Sequence, residues 1–411
     1  MNTREFLGLD EALTLLRSIV DPIAGRPETI ALDAAANRIV AATHVAPMNV
    51  PPFAASAMDG YAVCSSDSIF DTPAPFMLPV QGESRAGTPF DAATLPNHAV
   101  RIFTGAVIPR RCDAVVIQED VARSADGVML QARPDAGACV RPPGHDVAAG
   151  AVIANPGARL GPFDLAWFTA CGLQHVSVYP RLRLALFSTG DELRDAGAAL
   201  CTGQIYDANR FVLAQLLRGA PVVVEDLGIL PDDPARIEAT LRTAADHHDV
   251  IVTSGGVSVG DADYVRDIVA RLGRIEFWKI AIKPGKPLAY GRIGHCHFFG
   301  LPGNPVSTIV TFLMLVKPIL ARLAGERTDA PLNVPATLSV DIAHERGRVE
   351  YQRAISSNNA GEIVVRPTSD QSSNRLESFR GANCLIEIPR ERGNLSRGDR
   401  VVILPLTGLL G

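Results

Sequence analysis

The sequence has few cysteines and few aromatic residues for its length. Its 411 residues include seven cysteines, two tryptophans and 6% aromatic residues in all. The cysteines stand singly, without CxxC spacing, which excludes a disulfide framework and a cysteine zinc site and indicates reduced thiols. One other metal hypothesis stays open, because His295 and His297 alternate in a segment typical of a strand and would share one face.

The sequence also lacks a block of basic residues and a long membrane-type apolar run. Lys and Arg number 39 against 44 Asp and Glu, a formal net charge of −5, which argues against binding to duplex nucleic acid. The longest apolar run in a helical context, Ile309 to Val316, ends at Lys317 and falls short of the ~20 residues that span a bilayer. The N-terminal residues predict an amphipathic helix and not a signal peptide. We therefore expect a soluble, cytoplasmic protein.

The chain has enough apolar residues for several cores. Hydrophobic residues make up 47% of it, and the length suggests about two to four domains. Between about residues 182 and 325 a pattern of strand, glycine-rich turn and helix repeats. This alternation favours a doubly wound, mostly parallel sheet covered by helices.

The flanking regions have a different character. Two N-terminal helices are expected before a stretch of short strands and turns, and the chain after about residue 326 alternates Val, Thr and Ile as β-strands do. We therefore predict an α/β and β multidomain protein with four parts. They are a linker domain of helices and strands (residues 1–47 and 148–180), an inserted β-rich domain (48–147), a central α/β domain (181–326) and a C-terminal β domain (327–411).

Three glycine-rich loops follow predicted strands of the α/β domain, at residues 188–192, 254–263 and 301–307. Loops and helix N-termini at the carboxyl ends of parallel strands present free N–H groups to anions, which favours a ligand that carries phosphate. Neither GxxxxGK[ST] nor GxGxxG occurs, so a P-loop nucleotidase and a standard dinucleotide enzyme are not supported. Turn geometry alone remains the alternative for any one loop.

Acidic side chains gather in the same loops and predict a Mg²⁺ site. Mg²⁺ binds phosphate oxygens together with one or two carboxylates, and Asp207 adds another acid in the segment GQIYDAN. Asp233 has a competing interpretation, because it precedes Pro234 at a helix start and suits an N-cap. The acids in these loops are Asp191, Glu192, Asp261 and Asp263, and Asp232 and Asp233 stand together between a predicted strand and the helix that starts at Pro234.

A short segment, KIAIKPGKP, carries three lysines around a Pro-Gly turn. Lys279, Lys283 and Lys286 would complement an anionic substrate if this turn holds them in a defined direction. Solvated surface lysines are the alternative. In the β-rich insertion, Asp59 precedes Gly60 and is either a functional acid or part of a simple turn.

A set of motifs stands in a distinctive order along the chain. They are SAMDGYAV, TGAVIP, DAVVIQED, STGDEL, GQIYDAN, TSGGVSVGDADY, FWKIAIKPGKPLAYG and GLPGNPVS. In this order and spacing the chain resembles, over nearly its whole length, the molybdopterin molybdenumtransferases, which include the bacterial MoeA proteins and the E domain of gephyrin. The resemblance implies an elongated, four-part homodimer with a molybdopterin-binding-like α/β domain and a barrel-like C-terminal domain. The implied reaction is insertion of molybdate into adenylylated molybdopterin, with Mg²⁺ required, AMP released and molybdenum cofactor formed.

The resemblance also implies roles for individual residues. Those implied to arrange catalysis are Asp59, Glu192, Asp232, Asp263, Lys279 and Lys283, and those implied to hold Mg²⁺ are Glu192, Asp261 and Asp263. Those implied to bind substrate are Thr104, Arg141, Asp146, Ser188, Thr189, Gly190, Asp207, Ser254, Gly255, Gly256, Ser258, Gly260, Lys286, Pro302, Gly303, Asn304, Pro305, Arg353 and Ser373. In the family, the residues of the insertion reach the site of the partner subunit, so a monomer is expected to be inactive.

The chain departs from the family pattern at several positions. Ala54-Ala55 replaces the usual Asp-Asn, His145 stands where Glu is usual, and Ser372 replaces the Gly of Gln-Gly-Ser. The main acids and lysines are retained, and activity is expected. The alternatives are a scaffold or binding protein of the same fold with weakened catalysis, an enzyme that inserts tungstate, and a nucleotide hydrolase. Docking to other proteins of molybdenum cofactor biosynthesis is a further hypothesis.

Overall fold

The repeated strand, turn and helix pattern of residues 182–323 forms a six-stranded sheet. The computed structural model of the chain describes residues 7–23, 25–256, 264–327, 331–368 and 370–410. The first four strands of the sheet run parallel to one another. The fifth strand is antiparallel to the fourth and to the sixth, so the prediction of a mostly parallel sheet is confirmed. Across the sheet the strands are Val222–Leu230, Leu182–Thr189, Val250–Ser254, Cys296–Leu301, Pro287–Ile293 and Arg274–Lys279.

Helices cover both faces of this sheet. Successive side chains along a strand point to opposite faces, and here they enter two different apolar cores. Leu184 and Val252 belong to one core, whereas their sequence neighbours Ala185 and Ile251 belong to the other. The doubly wound arrangement is therefore confirmed. The first core is covered by the helices Ala208–Leu217 and Pro305–Thr311, and the second by Pro234–His247 and Tyr264–Leu272. A two-stranded ribbon, Leu193–Arg194 with Ile205–Tyr206, stands beside the sheet.

The helix that begins at Pro305 continues beyond the apolar run seen in the sequence. It passes through Pro305–Thr311, a π-helical turn Phe312–Val316 and Lys317–Leu323. These 19 residues are long and apolar enough to cross a membrane, but 83% of the most apolar window is buried inside the protein. The Lys317 ammonium donates to the Leu409 carbonyl, and burial lowers the pKa of this lysine. The segment is a core helix of the α/β domain.

The described residues 7–47 contain one α-helix, Leu9–Ile19, where two were expected. The second helix is wrong, because the chain that follows pairs as strand Glu28–Ala31 with strand His175–Val178 and then makes only a short 3₁₀ turn, Leu32–Ala34. Asn37 has a left-handed φ of 60°, which a continuing helix does not allow. The remaining elements of the linker region are His44–Val45, Val152–Ala154 and Pro162–Ala170.

Between residues 48 and 147, the range predicted for the insertion, the chain forms two small sheets and a ribbon. One core, which includes Tyr61, Leu78 and Val128, is shared by both sheets. The four-stranded sheet has the order Val80–Ser84, Ala99–Ile102, Gly60–Val63 and Ala114–Ile117, and the three-stranded sheet the order Phe76–Leu78, Gly127–Leu130 and Val121–Ser124. The ribbon is Ala55–Ser56 with Val140–Arg141, and 3₁₀ turns lie at Ser68–Asp71 and Gln118–Asp120.

The C-terminal strands close into a five-stranded barrel around a core that includes Leu338, Ile386 and Ile403. In order around the barrel the strands are Val349–Asn359, Glu362–Pro367, Val334–Leu338, Arg400–Pro405 and Cys384–Ile388, and the last pairs again with the first. The short strand Ile282–Lys283 of the α/β domain pairs in parallel with Val349 and Glu350, which joins the barrel to that domain. A 3₁₀ turn, Leu376–Phe379, and a final helix, Leu406–Leu410, complete this part.

The N-cap interpretation of Asp233 is confirmed and leads to a stability prediction. Its carboxylate accepts the Ala235 N–H at 2.9 Å and the Arg236 N–H at 3.5 Å at the start of the helix Pro234–His247. We expect Asp233→Ala to lower the free energy of unfolding by about 1 kcal/mol, because a helix donor loses its acceptor. Denaturant unfolding followed by circular dichroism measures the loss. Asp233→Ser keeps a capping oxygen and is the control; equal losses in both variants would contradict the capping role.

Candidate functional site

Two neighbouring parallel strands bring several predicted residues to one edge of the sheet. The Gly190 N–H donates to the Leu230 carbonyl at 3.2 Å, which sets the end of one strand against the other. Beyond this point the Asp191 N–H donates to Asp232 Oδ2 at 3.4 Å, and the Asp232 N–H donates to Asp191 Oδ1 at 3.2 Å. The Glu192 carboxylate lies over Gly190, so that a Cβ at this glycine would stand 2.5 Å from Glu192 Oε2. The structure therefore places Glu192 and Asp232 at the same edge.

The second loop approaches the first so closely that it requires glycine. The Gly255 N–H donates to the Leu301 carbonyl at 3.1 Å, and Gly255 and Gly256 have left-handed φ values of 89° and 68°. A Cβ at Gly255 would stand 2.8 Å from the Thr189 carbonyl oxygen, and one at Gly256 would stand 2.6 Å from Thr189 Oγ1. The predicted residues Ser258, Gly260, Asp261 and Asp263 lie outside the described residues.

Asn209 connects the second loop to the third, and the sequence reasoning missed it. Its Nδ2 donates to Ser254 Oγ at 2.8 Å and to the Gly303 carbonyl at 2.7 Å. The residue lies in the first turn of the helix Ala208–Leu217. It is the last residue of the motif GQIYDAN, in which the sequence predicted a role only for the acid.

Asp207, the acid in that motif, caps the helix. Its carboxylate is almost fully buried and accepts the Arg210 backbone N–H at 3.0 Å and Arg210 Nε at 3.1 Å. Arg210 also pairs with Asp195 and Asp226. Asp207 therefore orients the helix start that carries Asn209, and its contact with a substrate stays a prediction.

Buried hydroxyls at this edge have hydrogen-bonding capacity to spare. In the described part of the chain, Ser188 Oγ, Thr189 Oγ1 and Thr253 Oγ1 are buried and have no hydrogen-bond partner. A buried hydroxyl without a partner costs about 1–3 kcal/mol, so most such groups in proteins are paired. Because these oxygen atoms are closed off from solvent, a ligand would bond them only after the loops around them move.

The third loop joins the sheet edge to the barrel. Asn304 stands at the N-cap position of the helix that begins at Pro305, and its Nδ2 donates to Ser373 Oγ at 3.1 Å. The Ser373 carbonyl accepts the Val306 N–H at 3.1 Å. Ser373 therefore lies against a helix N-terminus, where backbone N–H groups and the helix dipole favour an anion.

Arg353 holds the barrel loop that carries Ser373. Its side chain is buried, with Nε donating to Ser378 Oγ at 2.9 Å and Nη2 reaching the carbonyls of Asp370 and Ser372 at 3.4 and 3.3 Å. Burial lowers the pKa of this guanidinium to about 10. Gln371, in the same loop, accepts the Arg353 N–H at 3.0 Å. The geometry makes Arg353 a positioning residue, and its direct contact with molybdate stays a prediction.

The lysine segment packs against the same helix. Gly285, with a φ of 124°, faces the Thr311 side chain so closely that a Cβ would overlap it. Lys283 extends toward the barrel, where its Nζ lies 3.1 Å from the Glu350 carboxylate oxygens. The other two predicted lysines are Lys279, at the end of the strand Arg274–Lys279, and Lys286, on the surface of the turn.

The acid predicted in the insertion has a specific partner. Asp59 Oδ1 accepts the Thr104 N–H at 2.7 Å and the Thr104 hydroxyl at 2.8 Å, and these two bonds hold the pKa of Asp59 below its usual value. Arg141 and Asp146 are exposed on the same insertion. The structure therefore joins Asp59 to Thr104 as one unit on the surface.

His297, one member of the histidine pair, has a partner inside the sheet. His297 is buried, its Nδ1 bonds Tyr290 Oη at 2.9 Å, and burial lowers its pKa to about 4. Within the described residues, no three His, Cys, Asp or Glu side chains are grouped to hold a metal ion. The expected ligands Asp261 and Asp263 are not among those residues.

Known proteins with the same organisation identify the family. Residues 7–172 match the model of the MoeA N-terminal region (domains I and II), residues 185–322 that of a probable molybdopterin-binding domain, and residues 335–406 that of the MoeA C-terminal region (domain IV). A molybdopterin molybdenumtransferase of Haemophilus influenzae is 41% identical over 98% of this chain and 100% of its own length. The chain belongs to the molybdopterin molybdenumtransferase family.

Other relatives agree with this placement. Molybdopterin molybdenumtransferase 2 of Mycobacterium tuberculosis is 34% identical over 93% of this chain and 96% of its own length. A crystal structure of a molybdopterin biosynthesis MoeA protein from Pyrococcus horikoshii superposes with a TM-score of 0.84 at 28% identity, covering 98% of this chain and 100% of that one. The multidomain fold, with its α/β domain and its barrel, is therefore the fold of this family.

The Asp59 and Thr104 pair leads to a pH prediction. We expect Thr104→Val to raise the pKa of Asp59, because the variant loses the hydroxyl bond that favours the carboxylate. Because the pKa of Asp59 is lower in the folded than in the unfolded state, ionised Asp59 stabilises the folded protein at pH values above its unfolded-state pKa. This stabilisation is lost as the pH falls through the folded-state pKa. Carboxyl ¹³C chemical shifts, followed by NMR as a function of pH, measure the pKa of Asp59 in the wild type and in the variant. Thr94→Val, elsewhere in the insertion, is the control; an unchanged Asp59 pKa in Thr104→Val would contradict the assignment.

Proposed function

We propose that the chain inserts molybdate into adenylylated molybdopterin and releases AMP. Membership of the family makes it a transferase of molybdenum cofactor biosynthesis. The observation that carries the specific reaction is the junction at Asn304, where the anion-binding edge of the α/β sheet meets Ser373 of the barrel. One substrate needs a phosphate site and the other an oxyanion site, and we assign these two sites to the two sides of this junction.

The sheet edge supports binding of the pterin phosphates and the adenylate. Ser188 and Thr189 end their strand at this edge, and we assign them to the substrate surface there. Gly255 and Gly256 let the second loop close against the first, and Asn209 holds the second loop to the third. Ser254 and Gly303 are thereby placed, and we assign Gly190, Pro302 and Pro305 to the same substrate surface.

The start of the helix Pro305–Thr311 supports binding of molybdate. Molybdate is a tetrahedral dianion, and the Ser373 hydroxyl, which lies against this helix N-terminus, is a hydrogen-bond donor for it. Lys279, Lys283 and Lys286 would neutralise negative charge on the two substrates. Arg353 would hold Ser373 in place through its hydrogen bonds to the carbonyls of the loop that carries this serine.

Mg²⁺ belongs to the proposal because the acids of the sheet edge suit it. Glu192 and Asp232 provide oxygen ligands, which a hard cation prefers, and Asp261 and Asp263 would complete the set. Bound there, the ion would neutralise phosphate oxygens and the leaving AMP. The carboxylates themselves would orient the water or molybdate oxygen that attacks the pyrophosphate.

A homodimer is the second part of the proposal. The insertion would contribute four residues to the site: Asp59, Thr104, Arg141 and Asp146. The hydrogen bonds between Asp59 and Thr104 lie within the insertion. Exposed apolar side chains such as Phe163 and Phe211, 87% and 68% accessible, are of the kind that an interface covers. We propose that the insertion of one subunit completes the sheet-edge site of its partner. The cytoplasm as location and docking of other biosynthetic proteins stay predictions.

The reaction is tested with purified protein, adenylylated molybdopterin and Mg²⁺. We expect AMP release that requires molybdate and is followed by activation of an apo-molybdoenzyme. Asp263→Ala is expected to abolish turnover with the fold intact, and Asp246→Ala, exposed at the C-terminal end of the helix Pro234–His247, is the control. Pterin binding without AMP release would favour a scaffold, turnover of ATP without pterin would favour a nucleotide hydrolase, and preferential use of tungstate would change the metal.

The shared site is tested by mixing two inactive subunits. Asp59→Asn and Glu192→Gln are each expected to be inactive, since each spoils every site of its own homodimer. A one-to-one mixture of exchanging subunits should regain about a quarter of the wild-type activity, because half of the dimers are mixed and each contains one intact site. Reassociation is followed by sedimentation of the ~44 kDa chain. No recovery in a demonstrated mixed dimer would place both residues in one subunit's site.

A further inference from the structure

Lys283 forms an ion pair across the junction between the α/β domain and the barrel. In the parallel pairing of Ile282–Lys283 with the barrel strand Val349–Asn359, Lys283 stands directly opposite Glu350. The lysine Nζ lies 3.1 Å from the Glu350 carboxylate oxygens. The side chain of Lys283 is 41% exposed, whereas that of Glu350 is 4% exposed. A half-exposed cation is therefore neutralised by a carboxylate that is fixed in the barrel wall.

Glu350 is held in place independently of the lysine. Gln352 Nε2 donates to Glu350 Oε1 at 3.1 Å from the same face of the strand. The buried ring of His344 places its Nε2 3.7 Å from Glu350 Oε2. Because Glu350 cannot follow the lysine out of the wall without breaking these contacts, the mobile member of the pair is Lys283.

The pair borders a polar cavity of about 560 Å³, and the lining of this cavity includes the start of the loop that carries Ser373. Thr368, Asp370 and Gln371 line the cavity together with Lys283 and Glu350. Asp370 and Gln371 begin the loop that carries Ser373. The other acids of this cavity have partners of their own: Asp341 Oδ1 accepts the Arg397 N–H, and Asp370 Oδ1 accepts the Ser372 N–H, both at 2.7 Å. Glu350 is thus the carboxylate that faces Lys283.

We propose that Glu350 is a positioning residue that sets the affinity of the site for its oxyanion substrate by competing for Lys283. This inference rests on the proposed function, in which Lys283 neutralises the oxyanion. A dianion that binds at Ser373 must draw the ammonium away from Glu350, and the fixed carboxylate also repels it. The pair therefore weakens oxyanion binding and keeps Lys283 at the cavity mouth between turnovers.

Three variants separate this role from a packing role. Glu350→Gln keeps the shape and a hydrogen-bond acceptor but removes the charge, and we expect it to lower the KM for molybdate about tenfold with kcat changed less than about twofold. Glu350→Asp keeps the charge on a shorter side chain and is expected to stay closer to the wild type. Asp341→Asn removes a charge from the same cavity without touching Lys283 and is the control. Calorimetric titration with sodium molybdate provides a readout that does not depend on turnover.

The outcomes distinguish this inference from the proposal on which it rests. If Lys283→Ala raises the KM for molybdate while Glu350→Gln leaves both KM and calorimetric affinity unchanged, the positioning role is overturned and the function stands. If the shorter Glu350→Asp shifts KM more than Glu350→Gln, the effect is one of packing and the inference also fails. If Lys283→Ala has no effect on molybdate binding, the assignment of Lys283 in the proposed function falls.

Discussion

The close contact between two loops at the carboxyl edge of the sheet is the constraint on which the rest of the site depends. Strands Leu182–Thr189 and Val250–Ser254 are parallel neighbours, so their loops leave the sheet side by side. Gly255 and Gly256 turn there with left-handed φ values against Thr189, at distances that no side chain would permit. A larger residue would separate the loops and also displace Ser254, which Asn209 links to Gly303.

The barrel completes this edge through contacts at the start of one helix. Asn304 and Val306 bond Ser373, and the lysine segment that packs on the same helix continues into the strand pair with Val349 and Glu350. Arg353, buried beneath, fixes the carbonyls of the loop. The oxyanion site proposed at this point would therefore be made by two domains, and the charge of Lys283 is balanced by a carboxylate from the barrel.

The sequence predicted most of the architecture because periodicity and turn residues are local signals. The doubly wound sheet and the cap at Asp233 both follow from patterns within a few residues. The second N-terminal helix was wrong because Glu28–Ala31 is recruited by His175–Val178, a strand more than a hundred residues away. Asn209 was missed for a related reason, since an amide becomes informative only when its two partners, Ser254 and Gly303, are known.

By itself, the sequence determined the family, the order of the domains and the residue types that an anionic substrate requires. Only the tertiary structure decided how those residues are used: Asp207 caps a helix, Arg353 supports a loop from within the barrel, and Lys283 pairs with Glu350. The physical reason is that charge and hydrogen-bonding capacity are properties of a side chain, whereas burial and partners depend on segments far apart in the chain. Lys283 and Glu350 are 67 residues apart in sequence and meet only because the barrel closes beside the sheet.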